Sequence, residues 1–210
     1  MTFRHHLVIF ARAPRLGTVK RRLARDIGAL AAWRFHVLTT GALLRRLGRD
    51  PRWTTWLAVT PDRWARGGRG LWRGPCRRLA QGPGGLGARM GRVFERLPPG
   101  PVVIVGSDVP GITAEGIARA FRRLGGHDWV LGPAADGGYW LIGARRRPVL
   151  SLPFQGVRWG SRHARADTLA NLAGRRVALI ELLDDVDTVA DLAHLKRQKK
   201  VSGTFSTLKY

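Results

Sequence analysis

Val102-Val-Ile-Val105-Gly106-Ser107-Asp108-Val-Pro110 carries the clearest architectural signal in the chain. Four consecutive β-branched residues predict a strand buried on both faces, as in a parallel sheet covered by helices. The run stops at Gly106, and an acidic residue follows two positions later. In an open α/β sheet, ligands bind beyond the carboxyl ends of the strands. Asp108 therefore stands where a metal or a phosphate-bearing ligand lies, or else only begins a turn before a helix starting at Thr113.

Outward from this strand the pattern alternates. Toward the N-terminus, Pro98-Pro-Gly-Pro101 ends a helix carrying Met90, Phe94 and Leu97, which follows the glycine-rich loop Gly82–Gly87 and a short strand over 77–81. Strands are predicted over 6–11 and 54–60. Between them lie a helix capped by Thr18, with Val19, Leu23 and Ile27 on one face, and a second with Phe35, Leu38, Ala42 and Leu47 inward. Residues 63–75, rich in Gly, Arg and Trp, read as irregular surface. Toward the C-terminus come a helix over 113–124, strands over 128–131 and 139–142, a helix over 161–172 with Ser161 as its cap, a strand over 177–182 and a helix over 188–195. The alternation predicts an α/β fold: a three-layer α/β/α sandwich with a mostly parallel central sheet. With no linker between two cores, residues 1–195 form one domain and 196–210 a basic, loosely ordered tail.

The length of 210 residues and 44% hydrophobic content suit one such domain. No apolar run is long enough for a membrane span or a signal-peptide core, so the expectation is a soluble cytoplasmic protein. The lone cysteine, Cys76, precludes an internal disulfide and has no evident catalytic partner. The net charge of +23 raises a nucleic-acid reading, but 32 arginines and five lysines are scattered along the chain and form no stripe. Such a surface favours polyanionic ligands, nucleotides among them, without implying a specific nucleic acid. The six histidines show no paired metal-site spacing.

Four motifs can carry chemistry. Ala13-Pro14-Arg-Leu-Gly17-Thr-Val-Lys20-Arg-Arg22-Leu23 follows a strand and opens a helix. Gly17 permits an unusual backbone, the helix N-terminus attracts anions, and Lys20 and Arg22 add charge, although the Walker A pattern is absent. The alternative is an ordinary βα turn with surface cations. Asp108 at its strand end can hold Mg2+ or Mn2+, with Ser107 adding a weak ligand or a hydrogen bond. Gly132-Pro-Ala-Ala-Asp136-Gly137-Gly138-Tyr139-Trp140 is either a turn or a place where a ligand approaches the backbone closely, with at most one of the two aromatics facing the site. In Asp184-Asp185-Val-Asp187-Thr188-Val-Ala-Asp191, Thr188 and Asp191 form a capping box and Asp187 can cap in a shifted register, which leaves Asp185 freer to face a metal. Trp53, Trp56, Trp64 and Trp72 can stack on a base or sugar, pack in the core or meet a partner subunit.

These motifs, in this order, resemble the bacterial DUF2064 group, also called selenodomain-associated transferase 1, of the GT-A-like nucleotide-diphospho-sugar transferase superfamily. The resemblance spans about residues 7–195. It rests on Pro14-x-x-Gly17-x-Val-Lys20-x-Arg22-Leu, Leu86-Gly87-x-Arg-Met90, Gly106-Ser-Asp108-x-Pro, Gly132-Pro-x-x-Asp136-Gly-Gly-Tyr139, Trp159-x-Ser161 and Asp185-Val-Asp187-Thr-x-x-Asp191-Leu. The chain departs from the group at Arg21, Ala88, Val109 and Trp140, where Thr, Glu, Cys and often Tyr are usual. The resemblance implies a nucleotide-binding α/β/α fold with a divalent metal, Mg2+ or Mn2+, in which Lys20 and Arg22 look like the phosphate loop and Asp108 like the metal-binding aspartate.

The expected activity is transfer from a nucleotide-activated donor to an unknown acceptor, most simply of a glycosyl group from a nucleotide-diphospho-sugar. Nucleotidyl transfer from an NTP is the alternative, and noncatalytic nucleotide or RNA binding a third reading. The expected nucleotide contacts are Pro14, Gly17, Lys20, Arg22, Gly87, Ser107 and Asp108. Gly137, Gly138 and Tyr139 are expected to meet the acceptor or substrate, and Asp108 and Asp185 the metal. Lys20, Arg22 and Asp136 are expected to be catalytic, with Asp136 orienting the acceptor, acting as a base, or serving as a second metal ligand.

Overall fold

In the computed structural model, which describes residues 3–67, 72, 74–146 and 151–201, the Val102–Gly106 strand (β4) lies at the centre of the sheet. Its neighbours are β1 (His5–Arg12), parallel to it, and β6 (Tyr139–Ala144), antiparallel. β2 (Trp53–Thr60) and β3 (Arg77–Ala80) extend the β1 side in parallel; β5 (Trp129–Pro133) and β7 (Val177–Leu179) complete the other side. The order is β3-β2-β1-β4-β6-β5-β7, and among the described strands only β6 runs against the rest. β2 follows β1 on one side and β4 returns on the other, so the winding reverses between β1 and β4, leaving a crevice at their carboxyl ends.

The two faces follow from the period-2 alternation of strand side chains. On one face Leu7, Ile9, Val103 and Val105 pack with Leu43, Leu44 and Leu47 of α2 (Ala29–Leu47) and Ile117, Ala120 and Phe121 of α5 (Ala114–Arg123). On the other, Val8, Ala58, Ile104 and Ile142 meet Met90, Val93 and Phe94 of α4 (Leu86–Arg96), beside α6 (Ala164–Ala170). A third cluster, of Leu23, Phe35, Val186 and Leu192, ties α1 (Arg21–Ile27) and α2 to α7 (Val189–Val201) and the loop before it.

Several local expectations change. Thr18 does not cap α1: its hydroxyl donates to the Arg15 carbonyl at 2.9 Å, and the helix starts at Arg21 after Lys20 takes a left-handed backbone (φ 47, ψ 48). The buried face of α2 holds His36, Thr39, Thr40, Leu43 and Leu44, with Leu38 and Ala42 only half-buried; tertiary burial of its polar members rotates the face. The stretch over 63–75 contains a short helix, α3 (Arg63–Gly67), and its residues 68–71 and 73 lie outside the described residues. Ser161 is not the cap residue of α6, which begins after His163; its hydroxyl oxygen accepts from His163 N instead. β7 ends at Leu179, not Leu182. α7 runs on to Val201, through Lys196-Arg-Gln-Lys-Lys200, all good helix formers; the tail beyond it lies outside the described residues.

The tryptophans split their duties within the fold. Trp53 is buried and donates to the Leu47 carbonyl at 3.0 Å, Trp72 is buried edge-on to His36, and Trp56 donates to His6 Nδ1 at 3.3 Å. Trp64 packs on the first cluster. Cys76 is half-buried, and burial pushes its thiol up, away from the reactive thiolate form. Among the described residues no helix is long and apolar enough to cross a membrane.

Candidate active site

β1 and β4 are adjacent and parallel, so the loops that leave them meet at one edge of the sheet. The β4 exit is held by Ser107 N donating to the Phe10 carbonyl at 3.1 Å, and Ser107 is buried. Val186 N donates to the Asp108 carbonyl at 3.2 Å, which draws the loop before α7 over the same point. Three segments far apart in sequence thereby deliver Lys20, Asp108 and Asp187 to one place.

Lys20 Nζ lies 2.8 Å from Asp108 Oδ2 and 2.5 Å from Asp187 Oδ1, with its side chain 6% exposed. Burial works against its charge, but the two carboxylates outweigh that and hold the ammonium above the ordinary lysine range. Burial likewise pushes Asp108 up, and Lys20 pulls it back to below the usual carboxylate range. Asp185 completes a group of three carboxylates whose oxygens lie within 4.8 Å of one another. Its own carboxyl is pushed up to about 6 by burial and by the charges of Asp108 and Asp187. This all-carboxylate donor set fits Mg2+ or Mn2+.

Two clefts meet at this group. One, of about 410 Å³, is lined by Arg12, Thr18, Lys20, Arg22, Ser107, Asp108 and Asp187, with His36 beneath. The other, of about 580 Å³, is lined by Asp136, Asp184, Asp185, Asp187, Asp191 and His194 among others. Arg22 and Asp187 belong to both.

The remaining sequence candidates fall in different places. Pro14 is buried, its carbonyl accepting from Trp33 Nε1 at 2.8 Å, and Gly17 (φ 75) turns the exposed loop; both shape the approach to Lys20 without lining the clefts. Asp136 is exposed on the β5–β6 hairpin, where its Oδ1 accepts from Gly138 N at 2.8 Å. Gly137 (φ 85) lies so close to the Arg162 backbone that no side chain fits. Tyr139 faces away from both clefts, toward Thr168 and Trp159, and burial pushes its phenol up. Trp140 is buried and donates to the Glu181 carbonyl at 3.0 Å. Gly87 lies in α4 against Phe154 and Trp159 and lines neither cleft.

Sequence reasoning gave less weight to two residues. Asp187 reads as the alternative, shifted-register cap, but the expected Thr188–Asp191 capping box forms, with Asp191 Oδ2 accepting from Asp187 N at 3.0 Å, Thr188 N at 2.8 Å and Thr188 Oγ1 at 2.9 Å. The Asp187 carboxylate is thereby free for the site. His36 gives no sequence signal. Its Nε2 donates to the Arg12 carbonyl at 2.8 Å, and burial pushes its pKa down, so a neutral imidazole lies beneath the cleft. Asp191→Ala should lower stability by about 1 kcal/mol, as for a lost cap, and also loosen Asp187. Urea denaturation checks the first effect; a stability unchanged within error counts against the capping role.

The family model described as an uncharacterized protein conserved in bacteria, DUF2064, matches residues 43–161. A candidate nucleotide-diphospho-sugar transferase from Desulfovibrio desulfuricans G20 is 30% identical, covers 93% of this chain and 87% of its own, and superposes with a TM-score of 0.87. The 4-diphosphocytidyl-2C-methyl-D-erythritol synthase of Anaerococcus prevotii DSM 20548 superposes with a TM-score of 0.58 at 10% identity, covering 94% of this chain and 96% of its own. Glucosyl-3-phosphoglycerate synthase of Mycobacterium tuberculosis, in complex with Mn2+, UDP and phosphoglyceric acid, gives 0.51 at 13% identity, over 93% and 75%. At such identities the last two share the fold alone. No curated protein matches the sequence.

Proposed function

Because this chain belongs to the DUF2064 family and has the fold of nucleotide-diphospho-sugar transferases, we propose that it is a divalent-metal-dependent transferase acting on a nucleotide-activated donor, with glycosyl transfer from a nucleotide-diphospho-sugar as its reaction. The observation that carries this reading is the convergence of Asp108, Asp185 and Asp187 with Lys20 at the edge of the sheet where the winding reverses. A divalent metal on those carboxylates supplies charge neutralisation for the diphosphate and its developing negative charge.

The chain's own residues divide the remaining work between the two clefts. Lys20 and Arg22 hold the donor phosphates in the smaller one and stabilise the charge that accumulates as the anomeric carbon–oxygen bond breaks and the electron pair leaves with the nucleoside diphosphate. The larger cleft takes the acceptor, whose oxygen forms the new bond to the anomeric carbon. Its five aspartates, in a chain with only 14 acidic residues, disfavour a negatively charged acceptor. Asp136, at the rim of this cleft, orients the acceptor hydroxyl and takes its proton.

Nucleotidyl transfer is the second reading. It is favoured by the entry of Asp187, beside Asp185, into the carboxylate group facing a basic loop, an arrangement that also suits a triphosphate. Products separate the two: glycosyl transfer releases nucleoside diphosphate, nucleotidyl transfer pyrophosphate. A thermal-shift screen of NTPs against nucleotide sugars, with and without Mn2+, tests the common core. A metal-dependent shift is expected, and metal-independent binding with a steep salt slope defeats both readings in favour of nonspecific polyanion binding.

Asp136→Asn should lower kcat about tenfold by misplacing the acceptor while leaving donor affinity nearly unchanged. A collapse of donor and metal affinity instead makes Asp136 a metal ligand. No change in either leaves it a turn residue.

A further inference from the structure

We propose that Lys20 is a built-in counter-cation: it binds Asp108 and Asp187 together in the metal-free protein, releases them when a divalent metal takes those carboxylates, and turns its freed ammonium to the phosphates of the nucleotide. This rests on the metal-dependent reading above and adds an order of events to it.

The geometry requires a choice. Lys20 Nζ contacts one oxygen of each carboxylate, Asp108 Oδ2 and Asp187 Oδ1. A divalent ion drawing on the same two groups stands within a few ångströms of the ammonium, where like charges repel strongly at low dielectric. Lys20 donates to two of the three carboxylates, while Asp185 opens on the other cleft. The three carboxylates and one ammonium leave a formal charge of −2, which one divalent ion cancels. The phosphates that follow then find the ammonium without a competing demand on it.

The backbone favours a side-chain swing over a loop movement. The Lys20 carbonyl is fixed by Ala24 N at 2.8 Å, the residue holds a left-handed backbone (φ 47), and its side chain lines the cleft. Few non-glycine residues adopt that conformation. The stem has four rotatable bonds, and the cleft beside it is open along Thr18, Arg21 and Arg22. The same lysine thus serves two anions in turn, neither of which is left buried without a partner.

Two measurements on the 210-residue chain test this. In calorimetric titration of metal-free protein with Mn2+ at pH 7.5, Lys20→Met should bind the ion about tenfold more tightly than wild type, because a competing cation is gone. It should bind inorganic pyrophosphate in the presence of Mn2+ more weakly. Equal or weaker Mn2+ binding by a Lys20→Met protein with a wild-type circular dichroism spectrum overturns the exchange and leaves the metal-dependent reading standing. No Mn2+ binding by wild type overturns both.

The second measurement needs no variant. Acylation of Lys20 by an amine-reactive reagent is followed by peptide mass spectrometry, with Lys196, Lys199, Lys200 and Lys209, the chain's other lysines, as internal references. Lys20 should react faster with Mn2+ than without, and become protected again when pyrophosphate is added. A rate indifferent to Mn2+ overturns the exchange.

Discussion

Asp108→Asn should reduce metal-dependent nucleotide binding by roughly a hundredfold or more while the protein stays folded. The substitution keeps the size of the side chain and removes its charge. Asp108 is one of three carboxylates brought within 4.8 Å and one of the two partners of Lys20. The change therefore replaces an anionic ligand of the proposed metal with a neutral amide and leaves the Lys20 ammonium less fully neutralised. The strand before it is secured by Val102–Val105, all nearly inaccessible to solvent, so the fold does not depend on this carboxylate. Isothermal titration with the nucleotide selected by the thermal-shift screen, with and without Mn2+, reads the effect. Asp187→Asn should give a loss of similar order, since its carboxylate is committed to the site and the cap is made by Thr188 and Asp191. Near-normal metal-dependent affinity in a folded Asp108→Asn protein removes the assignment. A normal affinity in Asp187→Asn alone returns Asp187 to a structural role.

The layers were readable in the sequence because burial writes itself into composition. Val102–Val105 can only be a strand covered on both sides, and Ile117, Ala120, Phe121 and Leu124 line up at helical spacing; both readings hold in the structure. What composition does not encode is direction. β6 is antiparallel because the chain turns back through Asp136-Gly137-Gly138, a hairpin between β5 and β6, and the same glycines read equally well as a ligand approach. α3 spans five residues, too few for a periodic signal.

The site was readable residue by residue but not as an assembly. Lys20, Arg22, Ser107 and Asp108 can be picked out because each follows a predicted strand or opens a predicted helix, and they do line one cleft. The meeting of Asp187 with them depends on a backbone contact, Val186 N to the Asp108 carbonyl, across 78 positions of sequence. Local capping chemistry at Thr188 offered a sufficient explanation for Asp187, so spacing alone favoured Asp185. His36 lies on α2 with no second ligand type at helical spacing, and only packing of α2 beneath β1 brings it to the cleft. Gly87 shows the converse: it belongs to an ordered motif, yet its close contacts with Phe154 and Trp159 give it a packing reason to be glycine.

Lys20→Ala combined with Arg22→Ala should weaken nucleotides in proportion to their phosphate charge, with triphosphate losing roughly a hundredfold and monophosphate only a few-fold. Lys20 is already a committed cation, pairing with Asp108 and Asp187. Arg22 lies at the junction of the two clefts, in the first turn of α1, where its guanidinium can reach distal phosphates without first giving up a buried carboxylate. Removing both leaves the three carboxylates in place and frees two of them from Lys20, so the part of the affinity that runs through the proposed metal is kept or strengthened. The part that depends on cations facing the distal phosphates does not. The ratio of losses across mono-, di- and triphosphate of one base, measured at fixed ionic strength with Mn2+, is the diagnostic quantity. Equal losses across the series would take these residues off the distal phosphates. A loss confined to the triphosphate would favour nucleotidyl over glycosyl transfer, because only an NTP donor presents a γ-phosphate to that end of the cleft.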